Sequence, residues 1–311
     1  MDGVLLVDKP SGPTSFDVVR RARSASATRR VGHAGTLDPL ASGLLVVCLG
    51  THTRLVPYLM AGSKRYEARV ALGCGTDTDD ADGEIVARAE VPPLTRERVE
   101  AAAALFGGEI AQRPPRYCAL KIDGQAAYRR ARRGEEVAPA PRTVAIHGID
   151  VVGVDGGELR LDVRCGAGTY IRALARDLAI ALGTVGHVAA LRRTEASGFD
   201  ISEAVPADEI EGLAERGEIE PLLRVGPAAL RRMPRLALNE EDATSIACGR
   251  SIPRPAELAD ATHVALLSPD GALLAVARAE GELLRSERGF PRLSSQRPSS
   301  PALLPGGEGG I

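Results

Sequence analysis

The chain has 311 residues, 44% of them hydrophobic, enough for one large domain with a buried core and a small second one. No stretch approaches the roughly 18 consecutive apolar residues that span a membrane, and Met1–Pro10 is too short and too quickly charged to read as a signal peptide. The net charge of −2 argues against a uniformly basic nucleic-acid binder, but it conceals strong local asymmetry.

Gly3–Val7 (GVLLV) reads as a buried strand. Thr14 then caps a helix with Phe16, Val19 and Ala22 on its apolar face and Arg20, Arg21 and Arg23 on its basic one. Residues 9–30 hold six Lys or Arg against one acid, so this end offers positive surface. The stretch Gly32-His-Ala-Gly-Thr-Leu-Asp-Pro-Leu-Ala-Ser-Gly43 is too rich in Gly and Pro for a regular element and predicts a shaped loop. It runs into Leu44–Leu49, which is continuously apolar and reads as a strand covered on both faces. Tyr66, Ala68, Val70 and Leu72 alternate with Glu67, Arg69 and Ala71, the pattern of a half-buried strand.

Two tempting signatures then fail. Gly73-Cys-Gly75 starts like a dinucleotide loop, but Thr78 stands where the third Gly belongs. Thr78-Asp-Asp-Ala-Asp-Gly83 starts like a calcium loop, but Thr78 and Ala89 occupy the first and twelfth ligand positions. Its acids are expected to form a solvated turn.

Arg96–Phe106 reads as a helix between Thr95 and Gly107-Gly108, burying Val99, Ala102, Ala103 and Phe106. Residues 112–142 carry eight Lys or Arg and three acids, and within them Tyr128–Arg133 reads as a short basic helix stopped by Gly134. Leu159, Leu161, Val163 and Cys165 alternate as a strand. Tyr170–Leu182 gives the clearest helical period, with Ile171, Leu174, Ala175, Leu178 and Leu182 on one face and Gly183 at its end. Beyond Pro206 the composition turns acidic. A helix at Glu240–Cys248 and a hairpin around Ser268-Pro-Asp-Gly271 predict a second, small domain.

Strands and helices thus mix without a βαβ rhythm. This predicts an α+β fold with a mixed, largely antiparallel sheet flanked by helices. The expected division is a domain over 1–231 with an insertion at about 108–142, a small domain over 232–290, and a disordered Pro/Ser/Gly-rich tail over 291–311. Cys48, Cys74, Cys118, Cys165 and Cys248 lie far apart with no Cys-x-x-Cys pair, and His33, His52, His147, His187 and His263 have no metal spacing. No metal site is expected, and the cysteine usage fits a reducing cytosol.

Asp38 is the residue of chemical interest. It sits on a Gly-rich loop anchored by a rigid strand, with Pro39 fixing the backbone after it. From the residues alone, capping a turn is the more economical role. The loop, however, resembles the motif of the TruB family of pseudouridine synthases, in which the Asp of Gly-x-Leu-Asp-Pro (here Gly35–Pro39) is the nucleophile. Further blocks are similar, in order: Val7–Gly12, Lys64–Glu67, Pro114–Lys121 with Gly124–Gly134, Cys165–Arg172 and His187–Arg193. Together they cover about residues 3–205. Ala34, Cys118 and Gly166 depart from the commoner Thr or Ser, Ser and Ser.

The resemblance implies the pseudouridine-synthase fold, with the basic insertion gripping RNA and the small C-terminal domain helping to hold it. It implies that Asp38, Arg172 and Tyr66 are catalytic: Arg172 offers two parallel hydrogen bonds that keep Asp38 ionised, and Tyr66 stacks on a flipped uracil. His33, Tyr170, Leu191, Lys9 and Lys64 are expected at the bound nucleotide, with Lys9 buttressing the catalytic loop or meeting phosphate. Arg129, Arg130, Arg132 and Arg133 are expected on the RNA backbone, alongside Arg113, Arg116 and Lys121. On residues alone Tyr66 and Leu191 read as core, Arg172 as a surface partner of Asp177 or of phosphate, and His33 as a loop hydrogen-bonder.

The implied activity is conversion of uridine 55 in the TΨC loop of tRNA to pseudouridine by a cytoplasmic monomer. Neither cofactor nor obligate protein partner is expected. Two alternatives stay open at this point: a catalytic subunit that takes its target from a guide RNA, and a catalytically silent RNA chaperone.

Overall fold

The computed structural model describes residues 1–290 apart from 119, 123, 132, 134 and 136, with backbone alone at 121, 122, 126 and 128. The tail expected over 291–311 therefore lies outside the described residues, as does Arg132. The chain divides into two compact units, Met1–Arg232 and Met233–Ile311.

The first unit begins β1 (Gly3–Lys9), α1 (Ser15–Ala25), β2 (Val31–His33), β3 (Ser42–Leu49), α2 (Val56–Ala61), β4 (Lys64–Leu72), β5 (Cys74–Thr76) and β6 (Ile85–Arg88). It continues with α3 (Arg96–Ala104), β7 (Gly108–Gln112), β8 (Lys121–Ile122), β9 (Gln125–Ala126), α4 (Ala127–Ala131), β10 (Arg142–Asp155) and β11 (Glu158–Cys165). It closes with α5 (Ile171–Ala181), β12 (Gly186–Ala196), β13 (Phe199–Asp200), β14 (Val205–Pro206) and α6 (Ile210–Glu215). One sheet runs β14-β1-β3-β12-β4-β11-β10-β7, with β2 added on β3 and β13 on β12. Only β1/β14 and β3/β12 pair in parallel, so the sheet is mixed and largely antiparallel.

β3 is buried from Gly43 to Leu49, as its unbroken apolar run requires. Its pairing with β12 is short, Arg192 opposite Ser42 and Arg193 opposite Gly43. Gly43 makes the approach possible: its φ is +100°, and a Cβ there would lie 2.3 Å from the Arg193 carbonyl oxygen. In α1, Thr14 and Asp17 form a reciprocal capping box. The face it buries is Ser15, Val18, Val19 and Ala22. Phe16, expected on that face, is instead 57% exposed. One residue on from Ser15 it stands about 100° round the helix.

Other boundaries shift slightly. Gly32 and His33 belong to β2 rather than to a loop, held antiparallel to Cys48 and Val47. α3 ends at Ala104, and Phe106 packs half-buried beyond it. The basic helix α4 is short, Ala127–Ala131, and begins and ends slightly before the expected 128–133 span.

The second unit has β15 (Arg235–Ala237), α7 (Glu240–Ala247), β16 (Ile252–Pro253), β17 (His263–Leu267), β18 (Leu273–Glu280) and β19 (Leu283–Gly289). Its strands order β15-β17-β18-β19-β16. Asn239 caps α7, and Gly271 N donates to Ser268 O at 2.8 Å to close the β17–β18 turn. Its core is Leu238, Ile246, Val264, Leu266 and Leu284, a separate cluster of its own. No helix among the described residues is long and apolar enough to cross a membrane.

Candidate active site

The loop that carries Asp38 is held on every side. Ser15 Oγ accepts from Leu37 N at 2.8 Å and donates to Leu37 O at 2.9 Å, pinning the residue before the aspartate. Gly12 N donates to Pro39 O at 2.8 Å, and Ala41 N to Asp38 O at 3.1 Å. Lys9, fully buried, donates from Nζ to Pro10 O at 2.8 Å, Pro13 O at 2.7 Å and Pro39 O at 3.4 Å. Two of these three acceptors, Pro10 O and Pro13 O, lie just before the first helix's start, and the third follows Asp38, so Lys9 ties the two segments together. Burial pushes its ammonium down to about 8, against the pull of Asp38.

Asp38 lines a cleft of about 560 Å³, a size that admits a nucleotide base. Its side chain keeps 39% of its surface accessible. Burial raises its carboxyl above the ordinary range, Arg172 opposes the rise, and Asp80 adds to it.

Arg172, second residue of α5, is 6% exposed at its side chain, and its Nε lies 2.9 Å from Asp38 Oδ2. The pair is a single close contact, not the two parallel hydrogen bonds expected, and Nε is poorly aligned to donate. The reason is competition for the other nitrogens. Nη1 donates to Thr78 O at 2.7 Å and faces Asp80 Oδ2 at 3.2 Å, while Nη2 donates to Tyr117 O at 3.0 Å. Asp177, the surface partner considered from sequence, pairs with Arg176 instead.

The turn over 78–83 is thus only in part the solvated acidic turn expected: Asp82 is exposed, but its two other acids turn inward. Asp80 is 4% exposed, and Asp79 Oδ2 accepts from Arg176 Nη1 at 2.8 Å. Two arginines one turn apart on α5 draw these acids inward. Sequence pattern alone could not show it, because the partners lie more than ninety residues away.

One wall of the cleft is the shared face of β4 and β12. Lys64 and Tyr66 alternate along β4, Leu191 and Arg193 along β12, and all four line the cleft. Arg193 stands directly opposite Tyr66, and Leu191 opposite Ala68. Tyr66 is 9% exposed, and burial pushes its phenol up while Arg193 pulls it down. Lys64 donates to Met60 O and Gly62 O, and burial brings its ammonium down to about 8. Arg193 is 1% exposed, donating from Nε to Leu44 O at 2.7 Å and from Nη2 to Gly35 O at 3.0 Å. It was not among the expected site residues, although an Arg two residues after Leu191 on a buried strand face was a legible signal.

Tyr170 lines the cleft from the start of α5, its backbone clamped by Gln112 at 2.9 and 3.1 Å. Its phenol is pushed up to about 12, first by burial and then by Cys118. His33 stands apart: it is half-buried on β2 and is not one of the cleft-lining residues. Burial and Arg193 lower its imidazole, which keeps it neutral, and Nδ1 is buried without a partner among the described residues.

In the insertion, the basic residues are partly tied down. Arg130 Nε lies 2.7 Å and Arg133 Nη2 2.9 Å from the Glu135 carboxylate, and Arg116 Nη2 donates to Glu135 O at 2.8 Å. Arg129 is exposed. Among the described residues no group of three His, Cys, Asp or Glu side chains is placed to hold a metal ion.

Comparison with known proteins identifies the family. The model for TruB family pseudouridylate synthase (N terminal domain) matches residues 23–171. The models for tRNA pseudouridylate synthase B C-terminal domain and tRNA pseudouridine synthase II, C terminal, match 172–233 and 233–291. A tRNA pseudouridine synthase B of Arthrobacter sp. is 45% identical over 288 residues, covering 89% of this chain and 92% of that protein. One of Thermobifida fusca is 43% identical over 284 residues, covering 89% and 94%. Among solved structures, a Cbf5-Nop10-Gar1 complex contains a chain of similar fold with a TM-score of 0.72 and 25% identity, covering 93% of this chain and 85% of that one.

Proposed function

The chain belongs to the TruB family of pseudouridine synthases, and we propose that it converts uridine 55 in the TΨC loop of tRNA to pseudouridine, with Asp38 as the nucleophile. The carrying observation is the Asp38 carboxylate lining a base-sized cleft, with Arg172 2.9 Å away and Tyr66 in the same lining.

The reaction breaks the bond from uracil N1 to C1′ and remakes it from C5. It consumes no oxidant and no energy carrier. A base inside a stacked loop is out of reach, so it must swing out into a pocket. Tyr66, Tyr170 and Leu191 offer the ring aromatic and apolar contact to replace lost stacking. Arg172 holds Asp38 in place and favours its anionic form against burial. His33, neutral and next to the loop but outside the cleft, is assigned to the RNA around the emptied position. Arg129, Arg130 and Arg133 are assigned to phosphate, which fixes register without reading sequence.

The proposed enzyme acts alone on bare tRNA. Relatives named tRNA pseudouridine synthase B at 40–45% identity favour this over a guide-RNA mode, since the Cbf5 complexes stand at 24–25%. The cytoplasm is the proposed setting; the five cysteines are free thiols, as a reducing compartment keeps them.

Incubating purified protein with an unmodified tRNA transcript, without cofactor, and mapping pseudouridine tests the reading. Wild type should mark the T-loop uridine, and Asp38→Asn should mark none. Conversion that needs an added guide RNA, or that survives in the Asn variant, would overturn it.

A further inference from the structure

The cleft wall holds cations that no carboxylate answers. Arg193 is 1% exposed, Lys64 9%, and Lys9 behind the loop is fully enclosed. Among the described residues none of the three forms an ion pair, whereas Arg172 has both Asp38 and Asp80. Among the described residues four cations, Lys64, Arg142, Arg172 and Arg193, line the cleft against one carboxylate, Asp38. Removing a cation from water costs several kcal/mol, and backbone carbonyls return only part of it. Stability alone would favour an apolar residue at 193.

The position of the unanswered charge is specific. Lys64 and Arg193 line the cleft beside Tyr66, on the face where the ring is proposed to stack. Arg193 is held rigidly, with Nε and Nη2 committed to Leu44 O and Gly35 O. Its guanidinium thus needs no rearrangement when charge appears near it, which is the condition for strong electrostatic stabilisation.

The proposed reaction generates such a charge. If an Asp38 oxygen bonds to C1′, the N1–C1′ bond breaks as the new C–O bond forms. If Asp38 instead takes the C2′ proton, a C1′=C2′ bond forms as N1–C1′ breaks. On either of these sugar-directed routes, unlike addition of Asp38 to the ring, the electron pair of N1–C1′ leaves with the base, and uracil departs as an anion delocalised over N1 and its carbonyl oxygens.

We infer that Arg193, with Lys64 beside it, stabilises the departing uracil anion in the cleft. This rests on the proposed function, and it adds a role for residues that the Asp38–Arg172 pair does not fill.

The test compares wild type, Arg193→Met, Arg193→Lys and Lys64→Gln on transcripts carrying uridine or 5-fluorouridine at the target. Disappearance of the starting nucleoside is read in single turnover at saturating RNA, with RNA affinity and thermal midpoint measured beside it. Fluorine at C5 withdraws electrons and stabilises the anion by itself. Losing the cation should therefore hurt uridine more than fluorouridine. Arg193→Met should slow uridine on the order of 100-fold, the scale of one lost oxyanion donor. Fluorouridine should lose at least about 5-fold less, and RNA affinity should stay within about 3-fold. Arg193→Lys should fall between wild type and Met. Should Arg193→Met fail to fold, Lys64→Gln must show the same skew. Equal losses on both pyrimidines, a loss explained by RNA affinity, or an unchanged rate would overturn the inference. A wild type that leaves uridine unconverted would instead sink the proposed function.

Discussion

Asp80 Oδ2 lies 3.2 Å from Arg172 Nη1, with both side chains only 6% exposed, so the guanidinium that reaches Asp38 is shared with a second, deeper carboxylate. Replacing Asp80 with Asn leaves the cation to Asp38 and removes the like charge that helps raise the Asp38 carboxyl. The acid limb of the pH–rate profile should move to lower pH. Breaking one partner of a buried pair also costs about 3 kcal/mol, so the thermal midpoint should drop. Single-turnover rates across the acid range check this; a limb that stays or moves upward would separate Asp80 from the nucleophile.

Asp38 itself carries the opposite stability signature. Its folded-state carboxyl is raised by burial above its value in the unfolded chain. The stability linked to its proton is full below the unfolded value, about 3.9, and is lost as pH rises through the folded one. At neutral pH the ionised group therefore costs stability. Asp38→Asn should unfold at the same or a higher temperature than wild type at pH 7, the gap closing on acidification. Conversion should meanwhile fall on the order of 10⁴-fold or more. An Asn variant that melts clearly earlier at pH 7 would mean the Arg172 contact outweighs burial.

Ser15 links the first helix to the loop, since its hydroxyl serves both backbone groups of Leu37. Ser15→Ala leaves a buried N–H and C=O unpaired, which should cost about 1–3 kcal/mol. The freed loop should also slow single-turnover conversion by about 10-fold, because small misplacements of a reacting group are expensive. Denaturant melts and rates on the same preparation check both; full activity would show that Lys9 and Gly12 suffice to hold the loop.

Glu135 draws Arg130 and Arg133 onto one carboxylate. Glu135→Gln removes the carboxylate charge that both arginines face and should loosen their hold, tightening tRNA binding and steepening its salt dependence by about one unit of slope for each newly neutralised phosphate. The double change Arg130→Glu with Arg133→Glu should weaken binding and flatten the slope. Binding curves over a salt series decide it, and superimposable curves for all three proteins would remove the insertion from the RNA interface.

Much of this was legible in the residues. Alternation exposed β4 and β11, a 3.6-residue period exposed α5, and Thr14 with Asp17 announced the start of α1, because each signal lies within one element. The Gly- and Pro-rich run through Asp38 marked a shaped loop, and the ordered blocks around it pointed to the family. Phe16 misled because one exposed aromatic beside a helix start looks like part of the apolar stripe.

Local sequence by itself determined strands such as β1, β3, β4 and β11, helices such as α1 and α5, and the Gly- and Pro-rich character of the segment that presents Asp38. Only the tertiary structure decided how the charges around that acid are shared. Asp80 meets Arg172 across more than ninety residues, and Arg193 meets Tyr66 only through the pairing of β12 with β4. Whether an acid is solvated or buried against a guanidinium depends on what packs over it. That is fixed by contacts distant along the chain, which no local pattern records.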